Sequence, residues 1–470
     1  MDMVAKALVL RKENEYNRPM TRPDHAQAAS PYQAHRRALA RRLSDGLILL
    51  SGGEMVARNA DTEYEFRQQS DFLYLCGVEE PGCHLLLDPR QGRQTLFMPR
   101  IDNEHRVWLG HVPGPAEARR LYGVARVAYA DALPEELRRA RRGYRKVYAD
   151  KAALRTHRRA LLGLRAAPAE LGEALCELRA CKSPGELALI ARASAASGRA
   201  HRAVMRSARP GQFEYEAQAV FEAECRKAGL PLLAFPTIAA SGTNAAVLHY
   251  HRNQDRMRAG DLLLLDAGAE CRGYAADITR TFPVSGRFSA RQKDVYSIVL
   301  QAQKECIAMA RPGLDSAELH RRSMRVLAEG LKSLRILRGG TDGLVENGAL
   351  RLFYPHGLSH MMGLDVHDAP GGRRRRLRNP FKFLLRFVAR LEPGFVVTVE
   401  PGLYFIGALL RDPENRRRHK ASVDFGRAER FLDFGGVRIE DDILITPRGP
   451  ARDLTDVPKE IRDVEEACRR

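Results

Sequence analysis

The sequence predicts a mixed α/β (α+β) protein, with an N-terminal α/β domain followed by a larger domain made of two related halves. Three observations carry this reading. The 470 residues suffice for two or three domains, each able to bury a core of its own. In the first third, short apolar strands bounded by turns (GLILLSG, CHLLLDP, QTLFMPR) mix with helical periodicity (SPYQAHRRALARRL). In the remainder a helix–ARPG–helix pattern occurs at 208–211 and again at 310–313, 102 residues later.

Taken in order, residues 1–30 are polar and aperiodic and read as an arm. Residues 31–165 form the first domain, 166–183 a linker, and 184–460 the second domain. In CKSPGEL, Ser183 is an N-cap, Pro184 occupies the first helical position and Glu186 completes a capping box. The long helix that this starts runs to the first ARPG. A second, SARQKDVYSIVLQAQKECIAMARPG, runs to the other. After each helix pair comes a β-rich stretch. In the first, DLLLLDAGAE and YAADITRTFPV flank the turn CRG; in the second, a charged insertion separates FVVTVEPGLYF from GGVRIEDDILIT.

Composition narrows the function classes. With 44% hydrophobic and 29% charged residues, wholesale disorder is excluded. No run of eighteen apolar residues exists, and the N-terminus lacks a signal peptide's apolar core, so the expectation is a cytoplasmic protein without membrane spans. Eight scattered cysteines without a CxxC pair argue against a disulfide framework and against structural zinc. The net charge of +19 raises nucleic acid as a partner, but the arginines are dispersed along helical segments and aromatics make up only 7%. A solvated arginine-rich surface fits better, and the run GGRRRRLR at 371–378 reads the same way.

The chemistry lies in four acids and a histidine cluster. Asp266 ends the apolar run LLLLD, where a charge is costly unless paired, hydrogen-bonded or bound to metal. Asp277 lies across a predicted hairpin, and Glu400 (VVTVEPG) and Glu440 (GVRIEDD) repeat the situation in the second half. Each has a plainer reading: Asp266 as a turn cap, Asp277 paired with Arg280 or Arg272, Glu440 paired with Arg438, and Glu400 as a strand end. Together they would repel one another unless divalent cations lay between them. Oxygen-rich ligation with one imidazole suits manganese, cobalt or iron(II) better than structural zinc. YPHGLSHMMGLDVHD supplies His356, His360 and His367, without the HExxH of a zinc protease.

The pieces LLLLDAGAECRGYAADITRTFPVSG, HGLSHMMGLDVHD, TVEPGLYF and GGVRIEDDILIT resemble the pita-bread metallopeptidases, in the Xaa-Pro branch of aminopeptidase P and prolidase. DTEYEFRQQSDFLYLCGVEEPG at 61–82 resembles that branch's N-terminal domain. The resemblance implies a pita-bread catalytic domain with pseudo-two-fold halves and two divalent metal ions, expected as Mn(2+). It also implies proline-containing peptides as substrates and a homo-oligomer, dimer or tetramer. The metal ligands it implies are Asp266, Asp277, His360, Glu400 and Glu440, with Glu400 also a general acid/base. It gives His249, His356 and His367 substrate-side roles and lets Arg438 orient ligands or substrate. Trp108 resembles a residue reaching a neighbouring active site in the oligomer; the alternative is a core tryptophan.

Phe235 and Thr243 depart from the tyrosine and glutamate common in relatives, while Asn244 is kept; neither departure touches a ligand. Two activities share the implied site. An Xaa-Pro aminopeptidase is favoured; an Xaa-Pro dipeptidase is the alternative, with Arg386 aligned to an arginine that grips a dipeptide carboxylate. A catalytically inactive binding scaffold is a third reading, countered by retention of all five ligand positions. A creatinase-like hydrolase would make little use of them.

Overall fold

The computed structural model describes residues 25–369, 371–373, 375–381 and 385–469. The arm expected over 1–30 therefore lies outside the described residues as far as position 24. From His25 the chain is already helical (α1, His25–Arg42), because HAQAAS is made largely of good helix formers. The described residues divide into two compact units, one of residues 25–179 with 371–373, the other holding the rest of 180–469.

The N-terminal unit is built on a six-stranded sheet. Its strands are Leu47–Ser51 (β1), His84–Asp88 (β2), Arg93–Met98 (β3), Arg126–Tyr129 (β4), Lys146–Ala149 (β5) and Arg165–Ala166 (β6). Their spatial order is β4-β3-β2-β1-β5-β6, with β1–β2–β3 antiparallel and the outer pairings parallel. The three strands read from sequence are β1, β2 and β3, and the central β1 and β2 are buried along their whole length, as their continuous apolar runs require. The two units divide between 179 and 180, within the segment expected as a linker, 166–183, and that segment holds the helix Pro168–Ala180. Pro168 sits at its start, and Leu171, Ala174 and Leu175 are buried, so this stretch has a packed face. Trp108 is not a core residue. It is 78% exposed, beside Val107, which is 81% exposed, on the helix Asn103–Leu109.

The second unit has the expected internal duplication. Helices Pro184–Ser207 (α2) and Glu214–Lys227 (α3) make the first pair, Ala290–Met309 (α4) and Ser316–Ser333 (α5) the second. Capping boxes at Ser183 and Ser289 start α2 and α4. Each ARPG ends in a left-handed glycine, Gly211 or Gly313, whose N–H is taken up by a distant carbonyl, Met257 or Leu391. The unit continues past the expected boundary at 460 into the helix Ile461–Ala467, where Val464 is fully buried in the main core.

Each half contributes a small antiparallel sheet. In the first, Leu262–Asp266 (β8) lies between Ile238–Ser241 (β7) and Thr279–Pro283 (β9), with Asp266 opposite Thr279. In the second, Val396–Val399 (β10) pairs with Asp441–Leu444 (β13), while Gly402–Tyr404 (β11) pairs with Gly436–Arg438 (β12). The segment carrying His360 adds to the other side of β10 through Met362 to Val396 and Thr398 to His360 backbone bonds. An antiparallel bridge between Thr279 and Glu440 joins the two halves. The four leucines of β8 are at most 2% exposed. Burying each contributes roughly 1.5–3 kcal/mol, which offsets the cost of holding a carboxylate at the end of their strand.

Candidate active site

All ten residues singled out from the sequence line one cavity of about 620 Å³ in the second unit. They are Asp266, Asp277, His360, Glu400, Glu440, His249, His356, His367, Arg438 and Arg386. Phe235, Pro236, Ile238, Leu248 and Val366 add an apolar part of the wall. The carboxylates sit at strand ends: Asp266 closes β8, Asp277 precedes β9, Glu400 follows β10 and Glu440 joins β12 to β13. Gly268 permits the approach of the two aspartate-bearing segments, since a Cβ there would collide with the Ala276 carbonyl.

Asp277, His360 and Glu440 bring one ligand atom each within 4.8 Å of one another, all three residues being buried. His360 Nε2 is 3.4 Å from Asp277 Oδ2 and 3.6 Å from Glu400 Oε1. Its Nδ1 lies 3.1 Å from the Met361 carbonyl, which can only accept, so Nδ1 carries the proton and Nε2 offers its lone pair to the acids. Asp266 Oδ2 accepts from Arg438 Nη2 at 2.5 Å, while its Oδ1 is buried without a hydrogen bond. Burial, then Asp266 and Asp442, pushes the Asp277 carboxyl well above its usual range; burial, then Asp277 and Glu400, does the same to Glu440. Burial pushes Glu400 up to about 7 against the pull of His360 and Arg438. A cluster of acids that resists ionising, one orphaned carboxylate oxygen and one imidazole lone pair fit a divalent cation site.

This arrangement has a measurable consequence. In the metal-free protein near pH 6 the Glu400 carboxyl, up at about 7, holds a proton that ligation must expel, while burial disfavours the charged form of His360. Metal uptake is therefore expected to release protons at pH 6 and to tighten as pH rises towards 8. Calorimetric titration of Mn(2+) in two buffers of different ionisation enthalpy checks this; zero proton release at pH 6 would contradict it.

The three histidines of the cluster occupy different settings. His356 Nδ1 donates to the Gly357 carbonyl at 2.8 Å and stands 3.6 Å from Glu400 Oε2, while its Nε2 accepts from Tyr404 Oη at 2.9 Å. Tyr404 in turn accepts from Arg438 Nη1 at 3.0 Å, so Arg438, Tyr404 and His356 form a chain. Burial, reinforced by Arg438, depresses His356 to about 3. His367 meets His360 edge-on at 4.5 Å between centroids and is depressed to about 3 by burial, then by His360 and Arg386. Both imidazoles stay neutral at physiological pH.

Two of the ion pairs in the plainer readings are not the ones formed. Arg438 pairs with Asp266 rather than with Glu440, because β12 turns its guanidinium towards β8 and Thr279. Arg280 pairs with Asp441, 2.6 Å away, and not with Asp277. Thr279 Oγ1 donates instead to Glu440 at 2.6 Å. Sequence reasoning also missed Tyr404 and Asp442. Asp442 is fully buried, its Oδ2 accepts the Asp277 N–H at 3.1 Å, and its Oδ1 has no hydrogen-bond partner. The signal was available: in EDDIL, strand alternation turns Glu440 and Asp442 to one side and Asp441 to the other.

A model of metallopeptidase family M24 matches residues 188–447. The chain belongs to this family. A second model, the aminopeptidase P N-terminal domain, matches residues 32–148. The chain is 35% identical to the Xaa-Pro aminopeptidase of Escherichia coli over 454 residues, covering 92% of this chain and 96% of that one. It is 34% identical to the human Xaa-Pro dipeptidase over 437 residues, covering 90% and 88%. A solved structure of zinc-substituted E. coli aminopeptidase P in complex with product superposes with a TM-score of 0.81 at 34% identity, covering 94% of this chain and 98% of that one. These matches put the chain in the aminopeptidase P and prolidase branch of the metallopeptidases, a hydrolase with the pita-bread catalytic fold that its duplicated halves build. Among the described residues no helix is long and apolar enough to cross a membrane.

Proposed function

We propose that this metallopeptidase is an Xaa-Pro aminopeptidase, releasing the N-terminal residue from peptides with proline in the second position. The observation that carries the reading is the single cavity in which five ligand-type side chains, three histidines and two arginines meet an apolar wall suited to a proline ring. Asp266, Asp277, His360, Glu400 and Glu440 are the residues that would hold two divalent ions, with Mn(2+) the expected occupant. When bound, such ions supply Lewis-acid polarisation of the carbonyl and a water that ionises near neutral pH.

The chain's own residues account for the remaining steps. Water adds to the carbonyl carbon, the bond to the proline nitrogen breaks, and one proton must travel from that water to the leaving nitrogen. Glu400, with its carboxyl up at about 7, is poised to take and return it near neutral pH. Neutral His356 carries its one N–H on Nδ1, 3.6 Å from Glu400 and given to the Gly357 carbonyl; turned from that carbonyl, it would donate towards charge developing on the substrate's carbonyl oxygen. His249 and His367 line the same cavity and would face the substrate. Arg438 holds Asp266 and, through Tyr404, His356.

An Xaa-Pro dipeptidase is the second reading, favoured by Arg386, a cation in the cavity able to grip a free carboxylate. Turnover of an Xaa-Pro dipeptide is compared with that of an Xaa-Pro-Xaa tripeptide, with and without Mn(2+). The tripeptide is expected to be cleaved at least as well, in a metal-dependent way. Strong preference for the dipeptide, lost in Arg386→Ala, would establish the dipeptidase instead. Absence of metal-dependent cleavage of either would remove both and favour a binding scaffold. The exposed pair Val107 and Trp108 supports a homo-oligomer, dimer or tetramer, in which a second copy covers them. The expected setting is the cytoplasm.

A further inference from the structure

Glu214 is the first residue of α3, is fully buried, and takes no part in the chemistry above. Its carboxylate accepts five hydrogen bonds. Oε1 receives the Ser241 N–H and hydroxyl, both at 2.7 Å, and Asn244 Nδ2 at 3.0 Å. Oε2 receives the Tyr250 hydroxyl at 2.8 Å and the Asp255 N–H at 3.0 Å. These donors come from both ends and the middle of one segment, 241–255, which after Ser241 at the end of β7 has a short 3-10 turn and no other regular structure. Left to itself such a loop samples many conformations.

That segment carries His249 into the cavity. His249 is exposed there, and among the described residues its ring makes no hydrogen bond; its one ring neighbour is His251, 6.2 Å away. Its position is therefore set by the backbone on either side, which Asn244 and Tyr250 tie to Glu214. We propose that Glu214 is a positioning residue for the reaction, a buried anionic hub that fixes the 241–255 loop and so holds His249 over the substrate. This rests on the reading of the cavity as an Xaa-Pro peptidase site. An ionised carboxylate suits the task because every one of its contacts is a donor. An amide in its place would turn its NH2 towards at least one of those donors.

The test is a double-mutant cycle between Glu214→Gln and His249→Ala on Mn(2+)-loaded protein, read as kcat/KM on an Xaa-Pro-Xaa tripeptide, with metal content measured alongside. Glu214→Gln is expected to lower kcat/KM roughly 10- to 100-fold at unchanged metal content. In the His249→Ala background it is expected to add less than about twofold, because the group it positions is gone. Amide hydrogen exchange over 244–252, measured without metal, is expected to quicken in Glu214→Gln. Equal fold-losses in both backgrounds, or wild-type rates and exchange in the folded variant, would overturn the proposal. Should Glu214→Gln fail to fold, Tyr250→Phe removes a single donor and must show the same dependence on His249, with a loss of about threefold or more. Wild-type protein that cleaves no Xaa-Pro peptide would instead strike the reading of the cavity, and the exchange data would still decide whether Glu214 anchors the loop.

Discussion

His360→Ala is expected to lose both metal and turnover, whereas His356→Ala and His367→Ala are expected to keep the metal and lose mainly rate. The asymmetry follows from what each ring touches. His360 points Nε2 at Asp277 and Glu400 while Nδ1 is spent on the Met361 carbonyl, which is how an imidazole is set up to ligate. Removing partners outside a metal's ligands typically costs about 10–100-fold in affinity, so deleting a ligand should exceed that. His356 has its Nε2 lone pair taken by Tyr404 and its Nδ1–H given to the Gly357 carbonyl, so it has no lone pair for a metal and serves the reaction only as a donor, by turning that N–H towards the substrate. Losing such a donor costs on the order of 10²–10³ in kcat. Metal content after dialysis, measured beside kcat for the three variants, separates the cases. Equal metal loss in all three would make the cluster a three-histidine site and refute the division of roles.

Much of this site was readable in the sequence because its parts are local. Capping boxes at Ser183 and Ser289 and the glycine of each ARPG announce the helices through bonds made within a few residues. The acids at the ends of apolar runs stand out because an unpaired charge there would be untenable. What escaped depends on register between distant segments. A plain reading would pair Arg438 with Glu440, two positions away, whereas its partner Asp266 is 172 residues distant. Nothing local marks Glu214, because its five donors lie 27 to 41 positions on. Tyr404 and Asp442 lay inside motifs whose neighbouring residues drew the attention. Their role appears only once β11, β12 and β13 are side by side. The helix within 166–183 escaped for a related reason: CKSPGEL marks the cap of α2, and that cue says nothing against a helix ending immediately before it.

Arg280→Met is expected to reach the metal site from behind. The Arg280 guanidinium is fully buried and bonds Asp441 at 2.6 Å, the Glu440 carbonyl at 2.7 Å, the Thr279 and Val457 carbonyls at 2.9 Å and the Pro458 carbonyl at 3.0 Å. Asp441, equally buried, also meets Gln303 and Lys459. Whether such a pair is better than two apolar side chains is a separate matter; removing Arg280 leaves the buried Asp441 charge to Lys459 and Gln303 alone, at up to about 3–5 kcal/mol. For a domain of this size that corresponds to a fall in Tm on the order of 10 °C. The lost bond to the Glu440 carbonyl also frees the backbone that aims the Glu440 side chain into the cavity. Mn(2+) affinity is thus expected to fall about 10–100-fold although Arg280 touches no ligand side chain. Arg280→Lys keeps the charge and should recover part of the stability, but it lacks the planar fork that reaches Asp441 and four carbonyls together, so affinity should recover less. Melting curves of the metal-free proteins isolate the first effect, and Mn(2+) titrations well below Tm isolate the second. A variant that loses stability yet binds Mn(2+) as wild type would confine Arg280 to the core. Loss of both would show that the same buried ion pair that closes the core also sets the reach of Glu440.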